Sequence, residues 1–364
     1  MREITMSSDK QPPFPFEVGL LGPLVKMFIN GDTHRKWPLA EEIFTTTRRY
    51  LRSVPQSWRY GPDRILIVAP EHYKKITSTT SIKGKTMLDL GCGKFSPYGN
   101  LTYFYLNGIE KGYALDIETS DPERNAESLY DLLCHALAHP DRWKQDEVEE
   151  TEYFERIRNF DLDALAVGDL AKGVANVPLE HIVCDIGACE QIQESSIDIM
   201  ISQAVLEHFL DYKKAISRLW DIMSPEGIAL HAIDLVDHRT YGDPVNYNAW
   251  SFLTKDNLGN ENKVCNLLRS QDWLEIFETS GFELLDSEFW GHEMPDTVFK
   301  QLRPEFSKYS REELERTGVS ALLKKPGKQK IVVDKENLNA QKQSIHPKPT
   351  ELSISEEIQK ILAK

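Results

Sequence analysis

The stretch Thr86-Met87-Leu88-Asp89-Leu90-Gly91-Cys92-Gly93 decides how this chain folds. Its first five residues form a short, mostly apolar run that suits a strand buried on both faces, and two glycines close it. A glycine just past a strand lets the backbone turn tightly and approach a ligand with no Cβ in the way. A Gly-x-Gly pair alone is common, so the surrounding residues carry the weight. Downstream, the spacing predicts a helix from Tyr98 to Asn107, a second strand from Gly112 to Asp116 and a second helix from Pro122 to Ala136. The alternation resumes with strands at Ile182 to Asp185, Ile197 to Ile201 and Ile228 to Ile233, and a helix from Asp211 to Met223 broken by Ser224-Pro225-Glu226-Gly227. An amphipathic helix from Ser270 to Ser280 ends at Gly281, and Phe282 to Phe289 and Gly318 to Leu323 are expected as the sixth and seventh strands. Strands alternating with helices predict an α/β fold whose mostly parallel sheet is covered on both faces. Ligands of such sheets lie beyond the carboxyl ends of the strands.

Outside this core, residues 1–83 read as a helical N-terminal extension, with helical spacing from Leu39 to Leu51. Residues 137–178 interrupt the rhythm, with a very acidic run from Asp146 to Glu155 and a short amphipathic helix from Asp161 to Leu170, and are expected as an insertion in a domain spanning 84–326. Residues 327–364 are expected as a disordered tail with a terminal helix from Ser353 to Leu362.

Charge and cysteine usage narrow the partners. With 43 Lys and Arg against 57 Asp and Glu, the net charge of -14 argues against nucleic acid, which calls for a basic stripe. The one basic cluster, Lys324, Lys325, Lys328 and Lys330, is read as a solvated linker. Five scattered cysteines without a Cys-x-x-Cys pair suggest neither disulfides nor a zinc site. The stretch from Phe16 to Ile29 is too short and too interrupted to span a bilayer. The expectation is a cytoplasmic protein without a membrane span.

The glycine loop lacks the third glycine of a dinucleotide site, since Lys94-Phe95-Ser96-Pro97 follows. The carboxylate ahead of it, Asp89, suits a ligand carrying an ammonium and a sulfonium. Asp116, ending the second strand, is placed to accept both hydroxyls of a ribose, with Glu118 as the fallback. Asp185, ending the third, suits an adenine amino group, with Ile186 against the ring. A strand-end aspartate is also a common turn former.

Taken together, Asp89-Leu-Gly-Cys-Gly93, Asp116, Cys184-Asp185 and Ser202-Gln-Ala-Val-Leu-Glu-His208 resemble the class I methyltransferases that use S-adenosylmethionine (SAM). The resemblance spans about residues 84–326 and implies a Rossmann-like, seven-stranded, mostly parallel sheet with helices on both faces. It further implies that Gly91 and Gly93 wrap the methionyl part of SAM, that Asp116 holds the ribose and Asp185 the adenine, and that the backbone of Gln203 faces the ammonium. Phe95 departs from the family, many members of which have glycine there. A softer resemblance links His231-Ala-Ile-Asp234-Leu-Val-Asp237-His238-Arg239 and Asn266-Leu-Leu-Arg269-Ser-Gln-Asp-Trp273 to methyltransferases associated with glycan and natural-product biosynthesis. There the loop after strand five covers the acceptor.

The expected reaction is methyl transfer to a hydroxyl of a small molecule, sugar or glycan. N-methylation of a small amine and a nucleotide-dependent oxidoreductase are the alternatives. A hydroxyl acceptor calls for a base, and His208 and His238 are the candidates, with Asp237 beside His238 to orient it. His231, inside strand five, reads as a core histidine. Tyr241, Trp250 and Arg269 are expected to face the acceptor, within an aromatic stretch that also holds Asn246 and Asn248. Asp234, Asp237, His208 and His238 are conceivable metal ligands, but their spacing matches no specific pattern, and no metal is expected.

Overall fold

The structure is a computed structural model and describes residues 62–254 and 265–327. The helical spacing from Leu39 to Leu51 and the tail beyond residue 327, with its expected terminal helix, lie outside the described residues.

Seven strands form one sheet in the order β3-β2-β1-β4-β5-β7-β6. They are β1 (Thr86–Leu90), β2 (Lys111–Asp116), β3 (Leu179–Val183), β4 (Ile197–Gln203), β5 (Met223–Asp234), β6 (Glu283–Gly291) and β7 (Arg316–Lys324). All neighbours run parallel except β7, which is antiparallel to both β5 and β6. This is the Rossmann-like seven-stranded sheet the sequence predicts. Its order reverses beside β1, where Leu90 pairs with Leu115 on one side and Ser202 on the other. That reversal is where an open α/β sheet leaves a crevice.

Alternate strand residues feed opposite layers, as the two-residue period of a strand requires. Met87, Ile199, Ile201, Ile228 and Leu230 pack with helices α1 (Pro62–Thr77), α2 (Gly99–Leu106) and α3 (Pro122–Ala138). The stretch 137–178, expected as an insertion, is occupied by α4 (Pro140–Trp143), α5 (Glu150–Arg158), α6 (Leu162–Ala166) and α7 (Leu170–Gly173). Trp143, Tyr153 and Ile157 of this stretch join the same apolar layer. On the other face, Leu88, Leu90, Met200 and Ala229 meet α8 (Tyr212–Ile222) and α10 (Ser270–Thr279), with α9 (Arg239–Gly242) between these two in the chain. A third apolar cluster gathers Trp250, Phe252, Leu253, Met294, Phe306 and Leu314.

Helix starts follow the expected chemistry. Asp121 accepts the Glu123 and Arg124 N–H groups at the head of α3, next to Pro122 in the first turn, and Asp211 caps α8 through the Lys214 N–H. Three expectations need correction. Ser224-Pro225-Glu226-Gly227 does not break the chain before β5. It bulges within that strand: Met223 pairs with Ile197 and the next paired residue is Ile228, while the Ser224 hydroxyl donates to Asp198 Oδ1 at 2.7 Å. Strand β3 ends at Val183, so Asp185 lies two residues past it. Of the basic cluster, Lys324 ends β7 paired with Glu226, and Lys325 donates to the carbonyls of Trp220 and Met223. Lysines so held are structural.

Candidate active site

A cleft of about 820 Å³ opens at the carboxyl ends of β1, β2, β3 and β4. Asp89, Gly91, Gly93, Asp116, Asp185, Ile186, Gln203 and His208 all line it. The sequence expectation therefore converges on one place, apart from its acceptor-side residues.

The floor is the turn after β1. The Gly91 and Cys92 N–H groups both donate to the Leu115 carbonyl, at 2.7 and 3.2 Å, pulling the turn onto β2. Gly91 and Gly93 have φ of +72° and +77°, the left-handed region that side chains disfavour. The two glycines serve different ends. A Cβ at Gly91 would fall 2.0 Å from Val205 Cγ2, so this glycine makes room for the loop after β4. A Cβ at Gly93 would meet nothing within 4 Å, so this one leaves an open cradle.

Around that cradle stand carboxylates. Asp116 Oδ2 accepts the Gly93 N–H at 2.8 Å and its Oδ1 accepts the Glu118 N–H at 2.9 Å, which ties the glycine loop to β2. Each carboxylate oxygen has a second lone pair, so capacity for ligand hydroxyls remains. Glu118 pairs with Lys94 at 3.1 Å. Asp89 is buried, its carboxylate accepting from Asn100 Nδ2 at 3.1 Å; burial pushes its carboxyl up to about 7, the Asn100 hydrogen bond opposes this, and the charge of Asp116 adds to it. Asp185 is exposed, and its Oδ1 accepts the Gly187 N–H at 2.8 Å as the cap of a short 3₁₀ turn, with Ile186 buried beneath. Gln203 is half-buried at the end of β4. Arg64, Ile65 and Val68 of α1 line the opposite wall, a contribution the sequence did not reveal.

Beyond His208 lies a second group. The strand partners Ser202 with His231 and Gln203 with Ala232 bring the ends of β4 and β5 side by side. Glu207, His208, Asp234 and His238 therefore gather. His238 Nε2 stands 3.4 Å from Asp234 Oδ2 and 3.8 Å from Glu207 Oε1, and His208 Nε2 is 3.9 Å from the same Glu207 oxygen. Neither oxygen of the buried Glu207 accepts a hydrogen bond. Burial raises the Glu207 carboxyl to about 8; its own backbone N–H opposes this, the nearby Asp234 charge adds to it, and the Asp234 backbone N–H weakly opposes it. The Tyr241 hydroxyl donates to Asp234. Asn266 clamps the turn that carries Glu207: its N–H donates to the Glu207 carbonyl at 2.7 Å and its side chain to those of Leu206 and Phe209.

Several acceptor-side expectations change. Asp237 does not orient His238; its buried carboxylate holds the Arg239 guanidinium at 2.6 Å, and Asp234 and Glu207 flank the imidazole instead. Arg269 does not face the cleft. It is fully buried, its guanidinium donating to the carbonyls of Leu235 and Arg316 at 3.0 and 2.7 Å, and burial lowers it to about 10, partly offset by the charge of Glu313. Trp250 is likewise buried, with Nε1 donating to the Leu314 carbonyl, and Asn248 accepts the Trp250 N–H. Tyr241 alone of the three is exposed. His231 is a core residue: Nδ1 lies 2.8 Å from Ser202 Oγ, the ring stacks on Phe277, and burial lowers it to about 3. Glu207 was passed over because it was read only as part of a family signature. Its position just before His208, in the loop that follows the fourth strand, is the signal in the sequence that marks it.

The family described as "Methyltransferase domain" matches residues 67–287. No curated protein matches the chain. Among solved structures, a putative S-adenosylmethionine dependent methyltransferase from Listeria monocytogenes is 10% identical over 71% of this chain and 99% of its own, with a TM-score of 0.39. A Haloferax volcanii complex of the Trm112 methyltransferase activator and a putative methyltransferase shares 13% identity, covering 72% and 90%, with a TM-score of 0.38. Phosphoethanolamine N-methyltransferase 2 of Haemonchus contortus, in complex with S-adenosyl-L-methionine, shares 14%, covering 72% and 52%, with a TM-score of 0.39.

Proposed function

The chain belongs to the methyltransferase-domain family, and from that premise we propose that it transfers a methyl group from SAM to a hydroxyl of a small molecule, sugar or glycan. The observation that carries the donor half is the cradle itself: an open glycine turn edged by Asp89, Asp116 and Asp185. These residues fit a cationic nucleoside. Asp116 would hold the ribose hydroxyls, Asp185 and Ile186 the adenine, and Gly91, Gly93 and Gln203 the methionyl end, with Asp89 supplying the charge beneath it. When bound, SAM supplies a methyl group activated by its sulfonium, so the C–S bond breaks as the new bond to the acceptor oxygen forms.

The protein's remaining work is to orient the two reactants, exclude water and receive the hydroxyl proton. His208 lines the cleft and is the group placed to take that proton. His238, set between Asp234 and Glu207, does not line the cleft itself but packs on His208, their ring centroids 4.8 Å apart, with the exposed Tyr241 against its other side, so it acts on the acceptor through His208. This histidine and carboxylate group favours a hydroxyl over an amine, because an unprotonated amine needs no base. Among the described residues no helix is long and apolar enough to cross a membrane. We assign the catalytic domain to residues 84–326, with 137–178 as an insertion in it.

The deciding experiment is to incubate the protein with labelled SAM and a metabolite extract and to identify the product. Label on an oxygen of a small molecule or glycan supports the proposal. Label confined to amines or to carbon overturns the hydroxyl assignment.

A further inference from the structure

The group beyond His208 contains more than proton transfer requires. Two carboxylates, one from the end of β5 and one from the turn after β4, converge on one imidazole, and the second, Glu207, is almost wholly buried with neither oxygen in a hydrogen bond. A buried carboxylate without a hydrogen-bonding or charged partner is costly, and native structures pair such groups or bind a cation to them. Nε2 of His238 is also buried without a hydrogen bond. Two groups without hydrogen-bond partners, Glu207 and His238, therefore point at one small volume, with Asp234 held beside them by Tyr241 and the Val236 N–H.

We propose that Glu207, Asp234 and His238 bind one divalent transition-metal ion of the zinc type at the acceptor end of the cleft. Their ligand atoms all lie within 4.8 Å of one another, with measured separations of 3.4 and 3.8 Å from the imidazole nitrogen. Zinc sits about 2.0–2.2 Å from nitrogen and oxygen ligands, so two ligands of one ion stand roughly 3.0–4.3 Å apart. The observed spacing needs little adjustment. His208, His238 and Cys265 form an overlapping set within the same 4.8 Å limit, so a softer ligand lies within reach. A mixed nitrogen, oxygen and sulfur environment favours zinc over magnesium, which prefers six oxygens.

The frame around the group is held from outside. Tyr241 donates to Asp234, Asn266 fixes the Glu207 turn, and Arg269 pins the carbonyl of Leu235 next to Asp234. Such support lets ligands keep their positions without the ion. Because His208 also lines the cleft, the ion faces the acceptor side, where it would hold an acceptor oxygen; that role, unlike the ion site itself, rests on the methyl-transfer reading.

The test is a pair of calorimetric titrations on the tag-free chain after chelation and desalting, one with zinc chloride and one with SAM. The expected result is saturable binding of one zinc per chain. Glu207→Gln, which keeps the side chain's shape, and His238→Ala should each weaken zinc binding at least tenfold while SAM affinity stays within threefold, which also reports an intact fold. Absence of saturable zinc binding overturns the proposal, as does Glu207→Gln binding zinc as tightly as the parent. Zinc bound without SAM supports the ion site and removes the methyl-transfer reading; SAM bound without zinc does the reverse.

Discussion

The two halves of the cleft are built in different ways. The half proposed for the donor, after β1, β2 and β3, is held mostly by backbone: N–H groups of Gly91 and Cys92 fix the glycine turn on the Leu115 carbonyl, and those of Gly93, Glu118 and Gly187 engage the carboxylates of Asp116 and Asp185. The half proposed for the acceptor, after β4 with the end of β5 behind it, is held by side chains reaching in from elsewhere, with Asn266 and Arg269 as struts and Glu207 left without a hydrogen bond. A backbone-built site tolerates few changes of conformation but many of neighbour. A side-chain-built site can be retuned one residue at a time, which suits the half that must recognise a particular acceptor.

Substitutions should separate the halves. The largest effect is expected from Gly91→Ala. It combines a positive φ with a Cβ driven into Val205, a stiff β-branched side chain, and together these cost about 3 kcal/mol. Thermal unfolding and SAM calorimetry should both show the loss. Gly93→Ala, with no clash, should cost about 1 kcal/mol, and equal losses at the two positions would erase the distinction drawn between them.

Next, His208→Ala should lower turnover by about 100-fold, a typical general acid–base contribution, while SAM affinity stays within about threefold. Loss of SAM binding in that variant would merge the two halves. Asp116→Asn should weaken SAM by about tenfold, roughly one charge-assisted hydrogen bond, without changing the turnover of the saturated enzyme.

The last effect concerns pH. The Asp89 carboxyl lies near 7 in the fold and near 4 in the unfolded chain, so the folded state holds its proton more tightly. Its contribution to stability is complete below about pH 4 and is lost as pH rises through about 7. The ligand-free protein should therefore lose thermal stability between about pH 4 and 7 more steeply than Asp89→Asn. Equal slopes would show that the carboxylate is not the group responsible.

How much was legible in the sequence divides along the same line. The donor half could be read because its signals are local: each strand end carries its own glycine or aspartate, and Asp89, Gly91, Asp116 and Asp185 all reach the cleft. The acceptor half depends on the pairing of β4 with β5, which no local pattern encodes. Asp237 was preferred as the partner of His238 because it is its neighbour in sequence, yet a helical turn points it at Arg239. Arginine is seldom fully buried, so nothing in composition marked Arg269 as a strut. A Pro-Glu-Gly run normally ends an element, and only the sheet shows it absorbed as a bulge in β5.

The contact between Gly91 and Val205 binds the fates of the two halves. The turn that cups the donor rests against the loop that leads to Glu207, so neither position is at liberty to drift alone. Trimming Val205 to alanine should restore part of what Gly91→Ala removes, the steric part, and leave the dihedral part untouched. Residue 205 is thus a fixed point for any redesign of the loop after β4, and the room for change begins beyond it.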